Sequence, residues 1–232
     1  MRSSLVTYLA VAGTATAHSW LECSDHDQDA VLPQMIAGSK KNPPELVDPV
    51  FFPDACKGWP RAKQNPGDWI EESSNLAWNL AANGFGGDNH ACNPLQRKPA
   101  QSPNAPAAAA KAGGSIMLRY GGNGHTRGAT AGEGGDPGQV QVFWAGKKET
   151  EIVTVDELTK DKIISQAGFA ENSFSYPEDP AITKPAQGLV DKGNWQKVTL
   201  PSNMEAGRHM LVWVWSFNNK PQWSSCFDVI IS

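Results

Sequence analysis

Residues 208–217 read Arg-His-Met-Leu-Val-Trp-Val-Trp-Ser-Phe, and the predicted architecture follows from them. Successive side chains of a strand point to opposite faces. Alternate residues therefore form two apolar faces, one with Met210, Val212 and Val214 and the other with Leu211, Trp213 and Trp215. β-Branched and aromatic residues favour strands. A strand that is apolar on both faces is predicted to be a central strand of a sandwich, or one beneath an aromatic layer.

Other segments carry weaker strand signals, separated by turn residues. They span 115–120, 139–145, 195–200 and 223–231, with an edge strand over 18–23. Short helices are predicted within 68–83 and over 156–165, a turn over 84–89 and an irregular Pro/Ala-rich connector over 96–114. Many short strands without a strand–helix rhythm indicate an all-β fold, an antiparallel β-sandwich with long loops and one or two short helices.

The amino terminus has the pattern of a secretory signal. Arg2 supplies a positive charge, residues 5–13 are mostly apolar, and Ala15 and Ala17 frame a small-residue cleavage site. The predicted organisation is a signal peptide over 1–17 and a single β-sandwich domain over 18–232, secreted to the extracellular space. Cleavage after Ala17 makes His18 the first residue of the mature chain.

Charge and hydropathy exclude several classes of partner. Loss of Arg2 leaves 19 Lys and Arg against 24 Asp and Glu, a formal charge of −5. This mildly acidic balance argues against nucleic acid as a partner. No stretch after the signal has eighteen consecutive apolar residues, so no membrane partner is expected. A monomer is expected.

Four cysteines occur in the chain, at positions 23, 56, 92 and 226. In a secreted protein they predict two disulfides, for which three connectivities are open. A zinc site is the alternative. It is disfavoured because no two cysteines stand two to four residues apart.

A first-residue histidine offers its α-amine and its imidazole to the same metal ion. A second imidazole would complete three nitrogens in a T shape, which suits copper(II). His125 is the candidate, because it follows a strand in the glycine-rich segment 121–128, where the backbone turns sharply. The alternative is an incidental terminal histidine and a surface-loop histidine. His26 and His90 are predicted to be solvated in polar loops, and His209 to lie at the exposed end of a strand.

Four features resemble the secreted lytic polysaccharide monooxygenases of fungi and their relatives. The signal ends directly before His18. The remaining three are motifs at scattered points. The first is Asn-His-Ala-Cys at 89–92, followed by 110–116 and Asn-Gly-His at 123–125. The second is 206–218, which includes Trp-Val-Trp-Ser-Phe-Asn, and the third is Trp-Ser-Ser-Cys-Phe-Asp-Val at 223–229. Residues 140–200 match no motif of the family.

The resemblance implies an immunoglobulin- or fibronectin-like sandwich in which His18 and His125 hold one copper ion per mature chain. It also implies the disulfides Cys92–Cys226 and Cys23–Cys56. In the family, a tyrosine or phenylalanine three residues before the last cysteine fills the axial position of the copper. Here that residue is Trp223.

A second departure lies two residues before that aromatic, where the family has a glutamine or glutamate that handles activated oxygen. This chain has Pro221 there, with Gln222 one position off. Either the strand carries a one-residue bulge or another residue takes this role. His18, His125, Trp223 and Gln222 are the candidate catalytic residues.

The implied activity is oxidative cleavage of glycosidic bonds in an insoluble polysaccharide such as chitin, cellulose or another cell-wall glycan. It uses dioxygen or hydrogen peroxide and an external electron donor. Trp20, Trp59, Asp25 and His26 are candidate docking residues, although the two tryptophans could equally belong to the core. Two alternatives are a copper-scavenging or copper-delivery protein without oxidative activity, which the Trp223 departure favours, and a metal-free carbohydrate-binding protein of the cell wall.

Overall fold

Antiparallel strands make up most of the regular structure. The computed structural model describes residues 19–27, 30, 53–66, 75–121, 138–168, 193–217 and 220–232. Its strands are β1 (Leu21–Cys23), β2 (Asp25–His26), β3 (Cys56–Gly58), β4 (Trp78–Asn79), β5 (Ala108–Ala110), β6 (Ser115–Gly121), β7 (Gln139–Trp144), β8 (Ile163–Gly168), β9 (Gly193–Thr199), β10 (Gly207–Phe217) and β11 (Lys220–Ile231). Within the described ranges, the helix α1 (Leu80–Asp88) is wound as a π-helix. Single 3-10 turns span Pro53–Ala55, Pro94–Gln96, Val155–Glu157 and Lys160–Lys162.

The strands form two main sheets and a small ribbon. The larger sheet has the order β4-β11-β10-β7-β8, and β5 pairs in parallel with the far end of β11. The smaller sheet has the order β1-β6-β9, and β2 pairs with β3. Apart from β5, these pairings are antiparallel. The all-β antiparallel sandwich predicted from the sequence is confirmed.

The main core lies between the two sheets. It combines Leu21, Leu118 and Tyr120 of the smaller sheet with Trp213 and Trp215 of β10, all buried. Because side chains alternate along β10, its other face packs into a second buried cluster, which includes Leu80 of α1. As predicted for residues 208–217, β10 is a central strand that is apolar on both faces.

The predicted strands 115–120, 139–145, 195–200, 208–217 and 223–231 correspond to β6, β7, β9, β10 and β11. The predicted edge strand is represented by β1, which pairs with β6 at the edge of the smaller sheet. The connector 96–114 departs from its irregular prediction, because residues 108–110 form β5. Alternating hydrophobicity cannot reveal this strand, since its three residues are all alanine.

The helix predicted within 68–83 is confirmed only at its end, and the one predicted over 156–165 is wrong. Leu76 has a φ of +53°, residues 78–79 form β4, and α1 begins only at Leu80, continuing through the predicted turn 84–89. Its start is fixed by Asn79, whose side-chain oxygen accepts a hydrogen bond from the Ala82 N–H at 2.8 Å. Asn89 ends the helix in the left-handed conformation.

The segment 156–165 forms two short turns and the start of a strand instead of a helix. Thr154 and Glu157 make reciprocal capping contacts that close one 3-10 turn. Pairing with β7 then draws residues 163–168 into β8. The long-range ladder therefore overrides the local helix signal at Asp156.

Both disulfides implied by the family resemblance are confirmed. Cys23 bonds to Cys56 with Cα atoms 6.0 Å apart, and Cys92 bonds to Cys226 with Cα atoms 5.9 Å apart. The first ties β1 to β3, and the second ties the segment after α1 to β11. Within the described ranges, no helix is both long and apolar enough to cross a membrane.

Candidate functional site

The register of β1 against β6 relates the two chain segments that carry His18 and His125. Leu21 is paired with Tyr120, so β1 begins beside the end of β6. His18 precedes Leu21 by three residues and His125 follows Gly121 by four, and both histidines lie outside the described residues. The strand ends that lead to them are neighbours in one sheet.

The larger sheet presents its own strand ends near this point. The Tyr120 ring lies 5.6 Å from the Trp213 ring across the core, so the end of β6 faces the second half of β10. β7 begins beside the end of β10, with Gln139 opposite Ser216, and β11 begins opposite Phe217. We call this region, with the start of β1 and the end of β6, the loop end of the sandwich.

Trp223 lies on β11 at the loop end. It is paired with Trp215 on one side and with Asn79 of β4 on the other. Its half-buried side chain packs against the core between the sheets. The aromatic residue thus closes the edge of the core and leaves part of its surface accessible.

A one-residue β-bulge precedes Trp223. Trp215 pairs with Trp223, whereas Ser216 pairs with Pro221, so Gln222 is the extra residue on β11. This is the bulge that the sequence left as one of two alternatives. Bulges bend a strand and re-aim the side chains beside them. The half-buried Gln222 therefore departs from the regular alternation of β11 next to Trp223.

The three described histidines lie on separate elements. His26 is only 3% exposed, so its prediction as a solvated loop residue is wrong. Burial lowers the pKa of its imidazole from the ordinary 6.5 to about 3, against an opposing effect of Asp27. β2 pairs with β3, and His26 lies opposite Cys56 of the Cys23–Cys56 bridge.

His209 is also buried, against the prediction that it lies at an exposed strand end. The Trp144 indole N–H donates to its Nδ1 at 3.1 Å, and its Nε2 donates to the Glu205 carbonyl at 2.8 Å. Both ring nitrogens are therefore engaged within the fold. His90 is half-buried. Across the described ranges, no group of three or more His, Cys, Asp or Glu residues is placed to hold a metal ion.

The candidate docking residues are largely buried. Trp59 is 2% exposed and Trp20 is 9% exposed, so of the two alternatives left open for these tryptophans the structure supports the core. His26 is excluded by the same burial. Asp25 is half-buried and accepts a hydrogen bond from the Met117 N–H, and burial raises the pKa of its carboxyl group.

A buried polar network at the start of β1 was not anticipated from the sequence. The Glu22 carboxylate forms an ion pair with Arg119 of β6, and the Trp20 indole N–H donates to it at 3.2 Å. All three residues are buried. In the sequence, Glu22 and Arg119 are charged residues in two otherwise apolar strand segments. No local sequence pattern indicates that they are partners.

A comparison with protein-family models finds no match, and neither does a comparison with curated proteins. Solved structures give distant likenesses. An AA10 lytic polysaccharide monooxygenase from Streptomyces lividans is 14% identical with a TM-score of 0.38, over 69% of this chain and 84% of that one. A chitin binding domain from Burkholderia pseudomallei is 12% identical with a TM-score of 0.37, over 93% and 99%.

A superoxide reductase (neelaredoxin) from Ignicoccus hospitalis is also similar, at 10% identity and a TM-score of 0.29, over 53% of this chain and 74% of that one. These likenesses are remote and join proteins with different activities. They carry no argument about the chemistry of this chain.

Proposed function

We propose that the mature chain is a copper-dependent lytic polysaccharide monooxygenase. In this proposal the α-amine and imidazole of His18 and the imidazole of His125 bind one copper ion. The observation that carries it is the antiparallel register of β1 and β6, because it makes neighbours of the two strand ends that lead to these histidines. A signal cleavage site directly before His18 supports the free amine.

The donor set suits the metal. One amine and two imidazoles would give the copper ion three nitrogen ligands. Nitrogen ligands in a tetragonal arrangement suit copper(II). Of the described histidines, His26 is buried on β2 and both nitrogens of His209 are engaged, so neither of these two competes for this role. His18 and His125 are therefore the residues to which the proposal assigns the ion.

Copper would supply the redox chemistry, which oxidises a C–H bond beside a glycosidic linkage using dioxygen or hydrogen peroxide and an external reductant. The protein's own residues would bind the ion, orient it and limit the access of water. Trp223, half-buried at the loop end, would shield one side of the site. Gln222 would be turned toward the same region by its bulge.

Secretion to the extracellular space is part of the proposal. Two disulfides join all four cysteines, which is typical of proteins that mature in an oxidising compartment. The proposed partner is an insoluble polysaccharide, together with an external electron donor.

A histidine-brace protein that carries copper without oxidising a polymer is the second candidate. Trp223 favours it, because an indole is larger than the phenol or phenyl ring of the resembled enzymes and packs against the core edge beside its ladder partner Trp215. Under this reading the same ligands bind copper, while access of oxygen to the ion is restricted.

Product analysis separates the two candidates. Copper-loaded mature protein is incubated with chitin, cellulose, starch or xylan, plus ascorbate and hydrogen peroxide, and oxidised oligosaccharides are sought by mass spectrometry. The proposal requires such products from at least one polymer, and their loss in His125→Ala. Copper binding without products from any polymer identifies the copper carrier. Absence of copper binding leaves the metal-free carbohydrate-binding alternative.

A further inference from the structure

The most buried ion pair of the smaller sheet lies at the start of β1. The side chain of Glu22 is 0% exposed and that of Arg119 is 1% exposed. Withdrawing two charges from water carries a large desolvation penalty, which their attraction offsets only when the geometry is good. A buried ion pair is weak evidence for stability by itself. Its position in the fold says more about what it does.

That position is a second β-bulge. Leu21 pairs with Tyr120 while Cys23 pairs with Arg119, so Glu22 is the extra residue of β1. At this bulge the Glu22 side chain departs from the regular alternation of β1, and its carboxylate contacts Arg119 in the interior. Without the ion pair, the register of this three-residue strand would rest on two residue pairs and the Cys23–Cys56 bridge.

The same carboxylate also holds the residue that leads out of the sheet. The Trp20 indole N–H donates to Glu22 Oε1 at 3.2 Å, and Trp20 is 9% exposed. The backbone that emerges from β1 toward the amino terminus is thereby fixed through a side chain two residues from His18. One carboxylate thus links the body of the sheet, through Arg119, to the exit of the chain, through Trp20.

We propose that Trp20, Glu22 and Arg119 form a positioning network that sets the geometry of the amino-terminal copper ligand. The inference rests on the proposed function, since it concerns the same site. Mutation of the residues that orient metal ligands typically changes the metal affinity about 10–100-fold. Glu22→Gln removes the charge but keeps the shape, so it is expected to weaken copper(II) binding within that range.

The chain offers a matched control. Arg61 and Asp228 form another buried pair, with side chains 0% and 1% exposed and two hydrogen bonds of 2.9 and 2.5 Å. Asp228 lies five residues beyond Trp223 on β11, about 16 Å along the strand at about 3.3 Å per residue. Asp228→Asn therefore disturbs a similar pair that lies far along β11 from Trp223 and the loop end.

The experiment measures copper(II) affinity by competition titration and the copper(II) EPR spectrum for mature wild type, Glu22→Gln and Asp228→Asn. Thermal unfolding of the metal-free proteins is recorded in parallel. The inference expects weaker binding and altered g and hyperfine values in Glu22→Gln, while Asp228→Asn keeps the wild-type affinity and spectrum. Trp20→Phe, which removes the indole donor together with part of the ring, is measured in the same way and replaces Glu22→Gln if that variant does not fold.

Two results overturn the inference while leaving the proposed function intact. In the first, wild type binds copper and the Glu22 or Trp20 variant binds it equally well with an unchanged spectrum. In the second, Asp228→Asn weakens binding as much as Glu22→Gln, which shows a general effect of losing a buried pair. If wild type itself does not bind copper, the proposed function fails, and the inference fails with it.

Discussion

The His26 imidazole is held neutral by its surroundings. Burial lowers its pKa to about 3, whereas the unfolded chain restores the ordinary value of 6.5. Between these values the unfolded state binds a proton that the folded state refuses. The free energy of unfolding therefore decreases as the pH falls from about 6.5 toward about 3.

This dependence predicts the behaviour of His26→Phe. One group contributes at most about 1.4 kcal/mol per pH unit. Urea unfolding between pH 5 and pH 7 should show a shallower loss of stability in His26→Phe than in wild type. His90→Gln, which removes a half-buried histidine, is measured in parallel as the control variant. An unchanged slope in His26→Phe would show that another group is responsible.

Glu151 belongs to a cluster of buried charges around Arg61. Burial tends to raise the pKa of its carboxyl group, but the Arg61 and Arg208 guanidiniums together lower it. Its contribution to stability is present above its unfolded pKa of 4.5 and is lost as the pH falls through the lower folded value. It therefore acts mainly below the pH range chosen for His26.

Asp228 is the buried partner in that cluster. Asp228→Ala removes the buried carboxylate partner of Arg61 and leaves it only the partly exposed Glu151. Breaking a buried pair typically costs about 3–5 kcal/mol. We expect a loss of that size in chemical denaturation. Glu205→Gln is the control, because its pair with Lys148 is exposed and its loss should change stability little. A small effect of Asp228→Ala would mean that Glu151 compensates Arg61 alone.

At the scale of elements, β7 begins with a close approach to β10. Gly138 has a φ of +98°, and a Cβ placed there would lie 2.4 Å from Trp215 Nε1 and 2.8 Å from the Ser216 carbonyl oxygen. Trp215 is 1% exposed and cannot move aside without disturbing the core. The residue after the segment that carries His125 is therefore packed directly on an aromatic of the core.

Gly138→Ala should combine backbone strain with overpacking, and overpacking typically costs about 1–3 kcal/mol. Gly146→Ala isolates the strain, because Gly146 has a φ of +86° and nothing within 4 Å of its Cβ position. We expect the first variant to lose more stability than the second in denaturant unfolding. Equal losses would show that the approach to Trp215 does not constrain this strand end.

Strands that are long and alternate clearly could be predicted from the sequence, as β10 and β11 show. Short elements could not, because their pairing decides them: β5 is three alanines on the edge of β11, and Ile163 joins β8 through β7. The bulge at Gln222 could be stated only as one of two alternatives. The choice between the two alternatives depends on the register of β11 against β10, which no local sequence pattern predicts.

The buried charges mark the same limit at the site. Glu22 and Arg119 become partners only when β1 lies against β6, and Arg61 meets Asp228 across 167 residues of sequence. The sequence indicated His18 and His125 as ligands from the cleavage site and the glycine-rich segment. It could not decide between docking and core for Trp20 and Trp59, because a tryptophan looks alike in sequence whether it faces solvent or the core.

At the scale of the whole molecule, two disulfides close loops of different size. Cys92 and Cys226 are 134 residues apart, and Cys23 and Cys56 are 33 apart. In the chain-entropy model the larger loop contributes about 1 kcal/mol more, within a usual range of about 2–5 kcal/mol for a native disulfide. Replacing both cysteines of a pair by serine should therefore lower stability more for Cys92–Cys226. A greater loss for Cys23–Cys56 would contradict this ranking.

The proposed function requires that signal cleavage before His18 creates an amino terminus that is itself a copper ligand. It is tested most directly by copper(II) titration of three proteins: the mature chain, the same chain with one alanine before His18, and His125→Ala. We predict tight one-to-one copper(II) binding by the mature chain. Both altered proteins should lose more than about 100-fold in affinity, because losing a direct ligand exceeds the 10–100-fold effect of a supporting residue. Equal binding by the mature and extended chains would contradict the account.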